Sequence, residues 1–302
     1  MDRLAFEDRA YINSSCESPG GRGINASCVL HSFGGETLAI ATAGGRSGKR
    51  FVQSLKGCGF PVSVVPIQND IRTNLTITDE QGLTVNLNEP GPELSKAEIA
   101  RFKRAVRERL DRSSWLMLCG SIPPGVPSSL YGELVSLARK KKVRTLLHAN
   151  GDVLREGIAA GPTIATPNQH EVERLLGRTL LTHTHHLEAA EQLRALGPES
   201  IVLSLGSRGA VAAFPDGLLE AEPPPVEVIC PIGSSDALAA GYTWAMMRHA
   251  SAADALRWAV AAGTASACLP GIRFATLRQT REVYRRVEVR RADPLRGDAT
   301  LR

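Results

Sequence analysis

The sequence predicts an α/β domain built on a mostly parallel sheet, with a small β-rich insertion. From about residue 62 onward, short apolar segments typical of strands alternate with helix-like segments of 10–18 residues. Such alternation is typical of a parallel sheet flanked by helices. The region 62–90 differs, because polar and apolar residues alternate there, as in IRTNLTITDEQGLTVNL. This pattern favours two strands joined around the DEQG turn at 79–82, and hence a β lid on the α/β core.

The elements can be assigned in order along the chain. Ser95 and Glu98 have the spacing of a capping box, and the apolar residues that follow lie on one helical face, which predicts a helix over 95–112. Further strands are predicted at 62–67, 73–78, 115–120, 143–149, 163–166, 201–206 and 210–214. Further helices are predicted at 24–33, 49–56, 129–142, 168–177, 187–196, 235–250, 252–269 and 276–287.

The composition is that of an ordinary globular protein. The 302 residues include 36 basic and 31 acidic side chains, for a net charge of +5, and 43% of the residues are hydrophobic. The apolar runs are too short to span a bilayer, no signal segment opens the sequence, and basic residues are not interleaved with aromatic ones. We therefore expect a cytoplasmic protein that binds neither membrane nor nucleic acid, with its six dispersed cysteines reduced.

Two glycine-rich segments could approach a ligand closely. In PGGRGINAS, the pattern Gly21-x-Gly23-x-x-Ala26 matches a degenerate dinucleotide fingerprint, but the segment before it is a poor strand. A nicotinamide-dependent oxidoreductase is one hypothesis for this segment, and a plain turn before a helix is the other. AGGRSGKR has Ala43 and Arg50 where a Walker motif needs glycine and Ser or Thr, so we expect a turn there.

Other segments place polar side chains near strand or helix ends. GSIPPGVP at 120–127 follows a predicted strand, where ligands bind in open α/β sheets. In TPNQHE, Asn168 and Glu171 are either an N-cap with its capping box or oxygen ligands near a magnesium–phosphate group. His183, His185 and His186 are predicted to be solvated loop residues rather than metal ligands.

The segment IGSSDALAAG places a single carboxylate, Asp236, between a Gly-Ser-Ser turn and an alanine-rich helix. Backbone N–H groups at a helix N-terminus bind anions, and negative charge at that end also stabilises the helix itself. Taken alone, Asp236 is therefore either a helix-stabilising carboxylate or a catalytic base that faces a bound phosphate.

The order of these segments is more specific than any one of them. Over about residues 2–288 the chain carries, in sequence, GGRGIN, IRTN, NEPGP, GSIPPGVP, NGDVL, TPNQHE, SLGSRGA, GSSD and AAGTASA. This series closely resembles the PfkB branch of ribokinase-like sugar kinases. The resemblance implies a Rossmann-like ribokinase fold with a small β-sheet lid, a reaction that uses ATP and Mg²⁺, and a homodimer formed through the lid.

The resemblance also implies roles for individual residues. Asp236 matches the catalytic base, and the N–H groups from Gly233 through Ser234 and Ser235 match the anion hole for the transferring phosphoryl group. The residues implied in sugar binding are Gly20, Gly21, Gly23 and Asn25, and Arg72 and Asn74 match the lid segment that holds the substrate's own phosphate. The residues implied in ATP and magnesium binding are Asn168, Glu171 (through water), Ser204, Gly206, Gly209 and Gly263.

Within the branch, the chain most resembles kinases of phosphorylated ketohexoses. TAGGRSG and AAGTASACLPGIRF are similar to the minor type of 6-phosphofructokinase, which favours fructose 6-phosphate as the substrate and fructose 1,6-bisphosphate as the product. NEPGP is shared more widely with 1-phosphofructokinases, so fructose 1-phosphate and tagatose 6-phosphate are alternative substrates.

A catalytically impaired relative that binds sugar phosphate or nucleotide is a further alternative, because the chain departs from the family pattern. The expected first strand with N-P-x-x-D is missing before Met1-Asp2-Arg3-Leu4. Four other positions carry residues that are unusual in the family: Tyr11 replaces arginine, His148 replaces aspartate, Thr166 replaces lysine and Ser235 replaces glycine.

We expect one kinase domain over 1–288. Its lid would come from about 8–18 and 68–92, and the basic segment 289–302 would be a frayed tail.

Overall fold

The computed structural model describes residues 11–79 and 84–293, and the chain divides into two compact units. Of the described residues, the larger unit comprises 21–37, 106–122 and 127–293, and the smaller unit comprises 11–20, 38–79, 84–105 and 123–126. Within the described residues, no helix combines the length and the apolar character that crossing a membrane requires.

The larger unit is built on a seven-stranded sheet. Its strands are β5 (Trp115–Cys119), β6 (Arg144–His148), β7 (Ile164–Ala165), β8 (Ser200–Ser204), β9 (Ala210–Phe214), β10 (Gly217–Glu222) and β11 (Glu288–Ala292), in the order β11-β10-β9-β8-β7-β6-β5. Strands β5 to β8 pair in parallel, and the remaining pairings are antiparallel. The predicted α/β class is confirmed, and the parallel strands bring four carboxyl ends to one edge.

The larger unit also contains eight complete described helices, and another enters it from the smaller unit. They are α1 (Arg22–Ser32), α4 (Leu130–Lys140), α5 (Gly151–Ala159), α6 (Gln169–Leu176), α7 (His183–Ala195), α8 (Ser234–Met247), α9 (Ala252–Ala267) and α10 (Leu277–Tyr284), and α3 (Lys96–Leu110) crosses from one unit into the other.

Helices α8 and α9 form the centre of the core because small residues let them pack closely. Ten consecutive residues of α8 are buried, and a Cβ added at Gly241 would lie 2.7 Å from the Ala262 Cβ. A helix that is apolar on nearly every side is expected to be buried in this way.

Two contacts of Trp244 hold α1 against α8. Trp244 Nε1 donates to the Phe33 carbonyl at 3.1 Å, and the two rings pack edge to face with centroids 5.5 Å apart. Because Phe33 ends α1, these contacts fix the helix on which Asn25 lies against the helix that carries Asp236.

The smaller unit contains two small sheets. Strands β1 (Ala39–Ala43) and β2 (Val62–Pro66) pair in parallel around α2 (Gly45–Leu55), and β3 (Asn74–Thr78) pairs antiparallel with β4 (Thr84–Asn88). The predicted hairpin is confirmed in its strands, and most of its turn, 80–83, lies outside the described residues. The predicted capping box of α3 is also confirmed, since Ser95 N donates to Glu98 Oε2 at 2.7 Å and Glu98 N donates to Ser95 Oγ at 3.3 Å.

Several expectations were wrong. Residues 288–292 form β11 rather than part of a frayed tail, because β10 gives them an antiparallel partner; the tail from 294 lies outside the described residues. Residues 11–18 of the expected lid form no strand, and 8–10 are not described. Helix α2 begins at Gly45, inside the segment predicted to be a turn.

Candidate active site

The site lies at the carboxyl edge of the parallel strands in the larger unit. Gly120 N, just after β5, donates to the His148 carbonyl at the end of β6 at 2.8 Å. Asn168, just after β7, forms a parallel bridge with Ser204 at the end of β8. Because the strands run in parallel, their polar end residues meet at one edge, which is where open α/β sheets bind ligands.

Asp236 is the buried carboxylate of this edge, with an exposed fraction of 4%. Its Oδ2 accepts a hydrogen bond from Asn25 Nδ2 at 2.7 Å, and its Oδ1 lies 3.1 Å from His148 Nε2. Asp236 stands in the first turn of α8, where the positive end of the helix dipole favours a negative charge. The carboxylate is therefore held from both sides by named partners, as a reacting group would need to be.

His148 is in turn held by Thr166. Its Nδ1 lies 2.8 Å from the Thr166 carbonyl oxygen and 3.1 Å from the Thr166 hydroxyl, and the ring is 1% exposed. The two positions noted as departures from the family pattern thus contact each other and support the same carboxylate.

The N-terminus of α8 has the form of an anion site. Gly233 has φ +81°, and a Cβ there would lie 2.9 Å from the Phe274 ring, so only glycine suits the position. No side chain caps the helix. Ser234 N donates to the Pro231 carbonyl at 3.2 Å, and the N–H groups that follow it in the first turn are oriented to bind a ligand. The Ser234 hydroxyl turns away and donates to the Pro231 carbonyl at 2.7 Å.

Ser235 causes no backbone strain. It lies in regular helix, and Lys142 and His249 are the non-glycine residues with positive φ among those described. Serine in place of the usual glycine therefore does not strain the backbone at this position.

Asn168 and Glu171 form the capping box of α6. This geometry is compatible with both interpretations of TPNQHE, as a helix cap and as oxygen ligands near a magnesium–phosphate group. Glu171 N donates to Asn168 Oδ1 at 2.9 Å, and Asn168 N donates to Glu171 Oε2 at 3.0 Å. The other oxygen, Glu171 Oε1, accepts from Arg22 Nη2 at 2.8 Å. Sequence reasoning missed Arg22, although an arginine inside the glycine turn GGRG was a visible signal.

Arg22 is incompletely partnered within the described residues. Its Nη1 is buried and has no hydrogen-bond partner, and a buried donor without a partner costs about 1–3 kcal/mol. The free donor suits an anion that would bind between α1 and α6.

The glycines that are predicted to bind the nucleotide are also required by the local backbone structure. Gly206 and Gly209 lie in the turn between β8 and β9, with positive φ, and a Cβ on Gly209 would lie 2.0 Å from the Ala221 carbonyl oxygen. At Gly263, a Cβ would lie 3.0 Å from the Ser234 carbonyl oxygen, so this glycine lets α9 approach the first turn of α8.

Three predicted residues belong to the smaller unit. Gly20 immediately precedes the point at which the chain enters the larger unit. Arg72 is half-buried, and its Cδ would lie 3.6 Å from a Cβ added at Gly91. Asn74 begins β3 and pairs with Asn88. Gly21, Gly23 and Asn25 lie in the larger unit, at the start of α1.

Burial shifts two further ionisable groups near the site. Burial, reinforced by the negative charge of Asp236, raises the pKa of the Cys119 thiol to about 12, and burial raises the pKa of Tyr131 above its ordinary value. Tyr131 donates from its hydroxyl to the Cys119 carbonyl at 2.9 Å. Both groups therefore stay protonated near neutral pH.

The three histidines of LTHTHHLE are not loop residues. They form the first turn of α7, which begins at His183 because Thr182 caps it by accepting from His185 N. His183 Nε2 lies 2.6 Å from Glu220 Oε2, whereas His186 is fully buried. In the described part of the chain, no group of three His, Cys, Asp or Glu side chains is arranged to hold a metal ion.

Comparison with known proteins decides the family. Residues 2–278 match the sequence model of the family described as pfkB family carbohydrate kinase. The chain belongs to the pfkB family of carbohydrate kinases. A pfkB-family kinase needs no dinucleotide site, and residues 11–20 supply no strand before Gly21, so the oxidoreductase hypothesis is wrong.

Similar pfkB-family proteins carry two activity names. The chain is 30% identical over 269 residues to ATP-dependent 6-phosphofructokinase isozyme 2 of Escherichia coli, covering 88% of this chain and 87% of that protein. It is 25% identical over 297 residues to 1-phosphofructokinase of Vibrio cholerae, covering 98% and 94%. The crystal structure of Escherichia coli phosphofructokinase-2 in complex with potassium superposes with a TM-score of 0.88 at 28% identity, covering 94% and 93%.

Proposed function

We propose that the protein is an ATP-dependent kinase of a phosphorylated ketohexose, and that it converts fructose 6-phosphate to fructose 1,6-bisphosphate. The observation that carries the proposal is the position of Asp236, a buried carboxylate held by Asn25 and His148 at the uncapped N-terminus of α8. Membership of a carbohydrate kinase family and similarity to phosphofructokinases agree with this chemistry.

Asp236 would act as the base. As the sugar hydroxyl oxygen forms its bond to the γ-phosphorus of ATP, the bond from that phosphorus to the β-bridging oxygen breaks and the hydroxyl proton passes to Asp236. Phosphoryl transfer depends on positioning and charge stabilisation rather than on a covalent enzyme intermediate. The N–H groups from Gly233 to Asp236 would stabilise the charge on the transferring group.

The residues at the start of α6 suit Mg²⁺ and the ATP phosphates. Magnesium prefers oxygen ligands and retains several waters, and Glu171 is a carboxylate whose oxygens already bind Arg22 and Asn168 N. Glu171 would therefore hold the ion through water, and the ion would neutralise phosphate charge. The unpartnered Nη1 of Arg22 would bind a phosphate oxygen, while Ser204, Gly206, Gly209 and Gly263 would line the nucleotide.

Two sets of residues would bind the sugar phosphate. Gly20, Gly21, Gly23 and Asn25 would contact the sugar, and Arg72 with Asn74 would hold the phosphate already present, since a guanidinium suits bidentate phosphate recognition. Relatives with 6-phosphofructokinase and 1-phosphofructokinase names have similar identities to this chain. Fructose 1-phosphate and tagatose 6-phosphate are therefore the substrates that the test must exclude.

A homodimer through the lid is part of the proposal. Leu75 pairs with Leu87, and Ile77 pairs with Val85, so the four side chains lie on one face of the β3–β4 sheet. Leu75 and Leu87 are 55% and 52% exposed. A second copy of the same face would bury these side chains, which supports dimerisation there.

The experiment is a steady-state assay with Mg-ATP and each of the three sugar phosphates. We expect the highest kcat/KM for fructose 6-phosphate. Asp236→Asn should lower kcat by about 10²–10⁴-fold, the range for removal of a general base, while ATP still binds. Equal inactivity of the wild type and Asp236→Asn on all three sugars would refute the proposal.

A further inference from the structure

A cleft in the larger unit lies between the first turns of α9 and the two outer strands of the sheet, β10 and β11. Its volume is about 410 Å³, which is within the range of small-molecule sites. Helix α9 contributes Asp254 and Arg257, and the strands contribute Leu219, Val289 and Arg291. None of the residues that line the cleft belongs to the candidate active site.

The floor of the cleft is apolar. Leu219 pairs with Arg291 in the antiparallel register, and Val289 lies two residues before Arg291, so all three side chains share one face of the sheet. Leu219 and Val289 pack against the buried cluster to which α9 belongs. The face that carries Arg291 is therefore the face that α9 covers.

Arg257 is held in place at the wall of this cleft. Its Cζ lies 5.5 Å from the centroid of the Tyr284 ring, and that ring stacks on Trp258 with centroids 4.3 Å apart. The Tyr284 hydroxyl donates to Asp254 Oδ1, which fixes the ring further. A guanidinium that already rests on a fixed aromatic face loses little freedom when it binds a ligand.

The acidic side chains of the outer strands are taken up by a different arginine. Glu220 and Glu222 both pair with Arg290, and Glu220 is the register partner of Arg290 in the sheet. Because neighbouring residues of a strand point to opposite faces, these two carboxylates lie on the face away from the Arg291 side chain.

The cleft therefore holds positive charge that the described residues do not neutralise. Within the described chain, no carboxylate lies at ion-pair distance from Arg257 or Arg291. Asp254 is the carboxylate among the described lining residues, and one of its oxygens already accepts from Tyr284. Two guanidinium groups beside an apolar floor suit a doubly charged phosphate on a small apolar body, since guanidinium groups bind phosphate through paired N–H donors.

We propose that this cleft is a binding site for a small organic phosphate. Arg257 and Arg291 bind the phosphate, and Leu219 and Val289 contact the organic body. The site is separate from the candidate active site, so the inference goes beyond the proposed function and does not depend on it.

Methyl NMR of the full chain, labelled at leucine and valine, tests the site with phenyl phosphate as the probe. Leu219 and Val289 place methyl groups on the floor of the cleft, so their signals report this site without any need for turnover. We expect saturable shifts of both residues. Benzoate, which has the same ring but a single charge, should bind at least about tenfold more weakly, because it loses charge-assisted hydrogen bonds.

Arginine variants test the charge requirement. Arg257→Gln and Arg291→Gln should each weaken phenyl phosphate binding at least about tenfold. Arg278→Gln is the matched control, because Arg278 is an exposed arginine of α10 that pairs with Glu282 outside the cleft, and it should keep wild-type affinity. Arg291 is itself exposed, so its replacement leaves the packing of the core unchanged, and the methyl signals far from the cleft report the fold of every variant.

Three results would overturn the inference: unshifted Leu219 and Val289 signals in the wild type, equal affinity for benzoate and phenyl phosphate, or wild-type affinity in Arg291→Gln. An inactive wild type that still shows the expected shifts would refute the proposed function and leave this site established.

Discussion

At the scale of single residues, the candidate base depends on side chains that are far apart in the sequence. Asn25 and His148 lie 211 and 88 positions from Asp236, yet both contact its carboxylate. Helix α1 and strand β6 bring them there because Trp244 holds α1 on α8 and because the parallel strands end at one edge. Precise placement of a reacting group is what phosphoryl transfer requires.

His186 makes folding stability depend on pH. Its ring is fully buried and both nitrogens lack hydrogen-bond partners among the described residues. Burial, assisted by the charge of Arg208, lowers its pKa from 6.5 to about 4. Because the unfolded chain binds this proton more readily, stability is intact above pH 6.5 and is lost as the pH falls toward 4.

We predict that folding stability falls less at acid pH in His186→Leu than in the wild type. Between pH 7.5 and pH 5 the free energy of unfolding should fall by about 2 kcal/mol less in the variant than in wild type, since one unit corresponds to about 1.4 kcal/mol. Urea unfolding at the two pH values measures the difference. The exposed His249, changed to Asn because its φ is +61°, is the control and should behave like wild type. Identical pH dependence in all three proteins would contradict the account.

At the scale of secondary structure, two helices begin with the same capping box but in different surroundings. Asn168 and Glu171 cap α6 at the candidate site, and Thr276 and Gln279 cap α10. Replacing the N-cap by alanine typically costs about 0.5–2 kcal/mol of stability, so Asn168→Ala and Thr276→Ala should lower the unfolding free energy by similar amounts.

The kinetics of Asn168→Ala and Thr276→Ala should differ. Asn168→Ala should raise KM for ATP or lower kcat by about tenfold, in line with the loss of one supporting contact at a metal–phosphate site, whereas Thr276→Ala should keep wild-type kinetics. Steady-state assays beside denaturation curves test this. Equal kinetic losses in the two variants would mean that Asn168 serves only as a cap.

The elements also show which features the sequence predicts and which it does not. The capping box of α3, the end of α6 at Gly177 and the hairpin strands follow from local spacing and turn chemistry, which a linear pattern contains. Strand β11 was missed because its polar residues become a strand only through pairing with β10. The start of α7 was missed because His186 is buried by tertiary packing.

The candidate site likewise contains residues that the sequence predicts and contacts that it does not. Asp236, Asn168 and Glu171 could be found because motif order along the chain resembles a family. The contacts Arg22–Glu171 and His148–Thr166 could not, since each joins residues that only the assembled sheet and helices bring together. Long-range polar pairs leave no periodic signal in a sequence.

At the scale of the whole molecule, the exposed face of the β3–β4 sheet predicts a dimer. In analytical ultracentrifugation at micromolar concentration, the wild type should sediment at twice the chain mass of 32.3 kDa. Leu75→Lys combined with Leu87→Lys should give a monomer, because buried unpaired charges oppose the interface. Leu196→Lys, at a site equally exposed on the larger unit, should remain dimeric; a monomeric wild type would contradict the prediction.

The central claim is that Asp236 is the base of a phosphohexose kinase. Its most direct test is the rate of fructose 1,6-bisphosphate formation from fructose 6-phosphate and Mg-ATP, measured for the wild type and for Asp236→Asn that still binds ATP. The account predicts sustained turnover by the wild type and a kcat about 10²–10⁴-fold lower in the variant. Wild-type turnover that Asp236→Asn matches would contradict it.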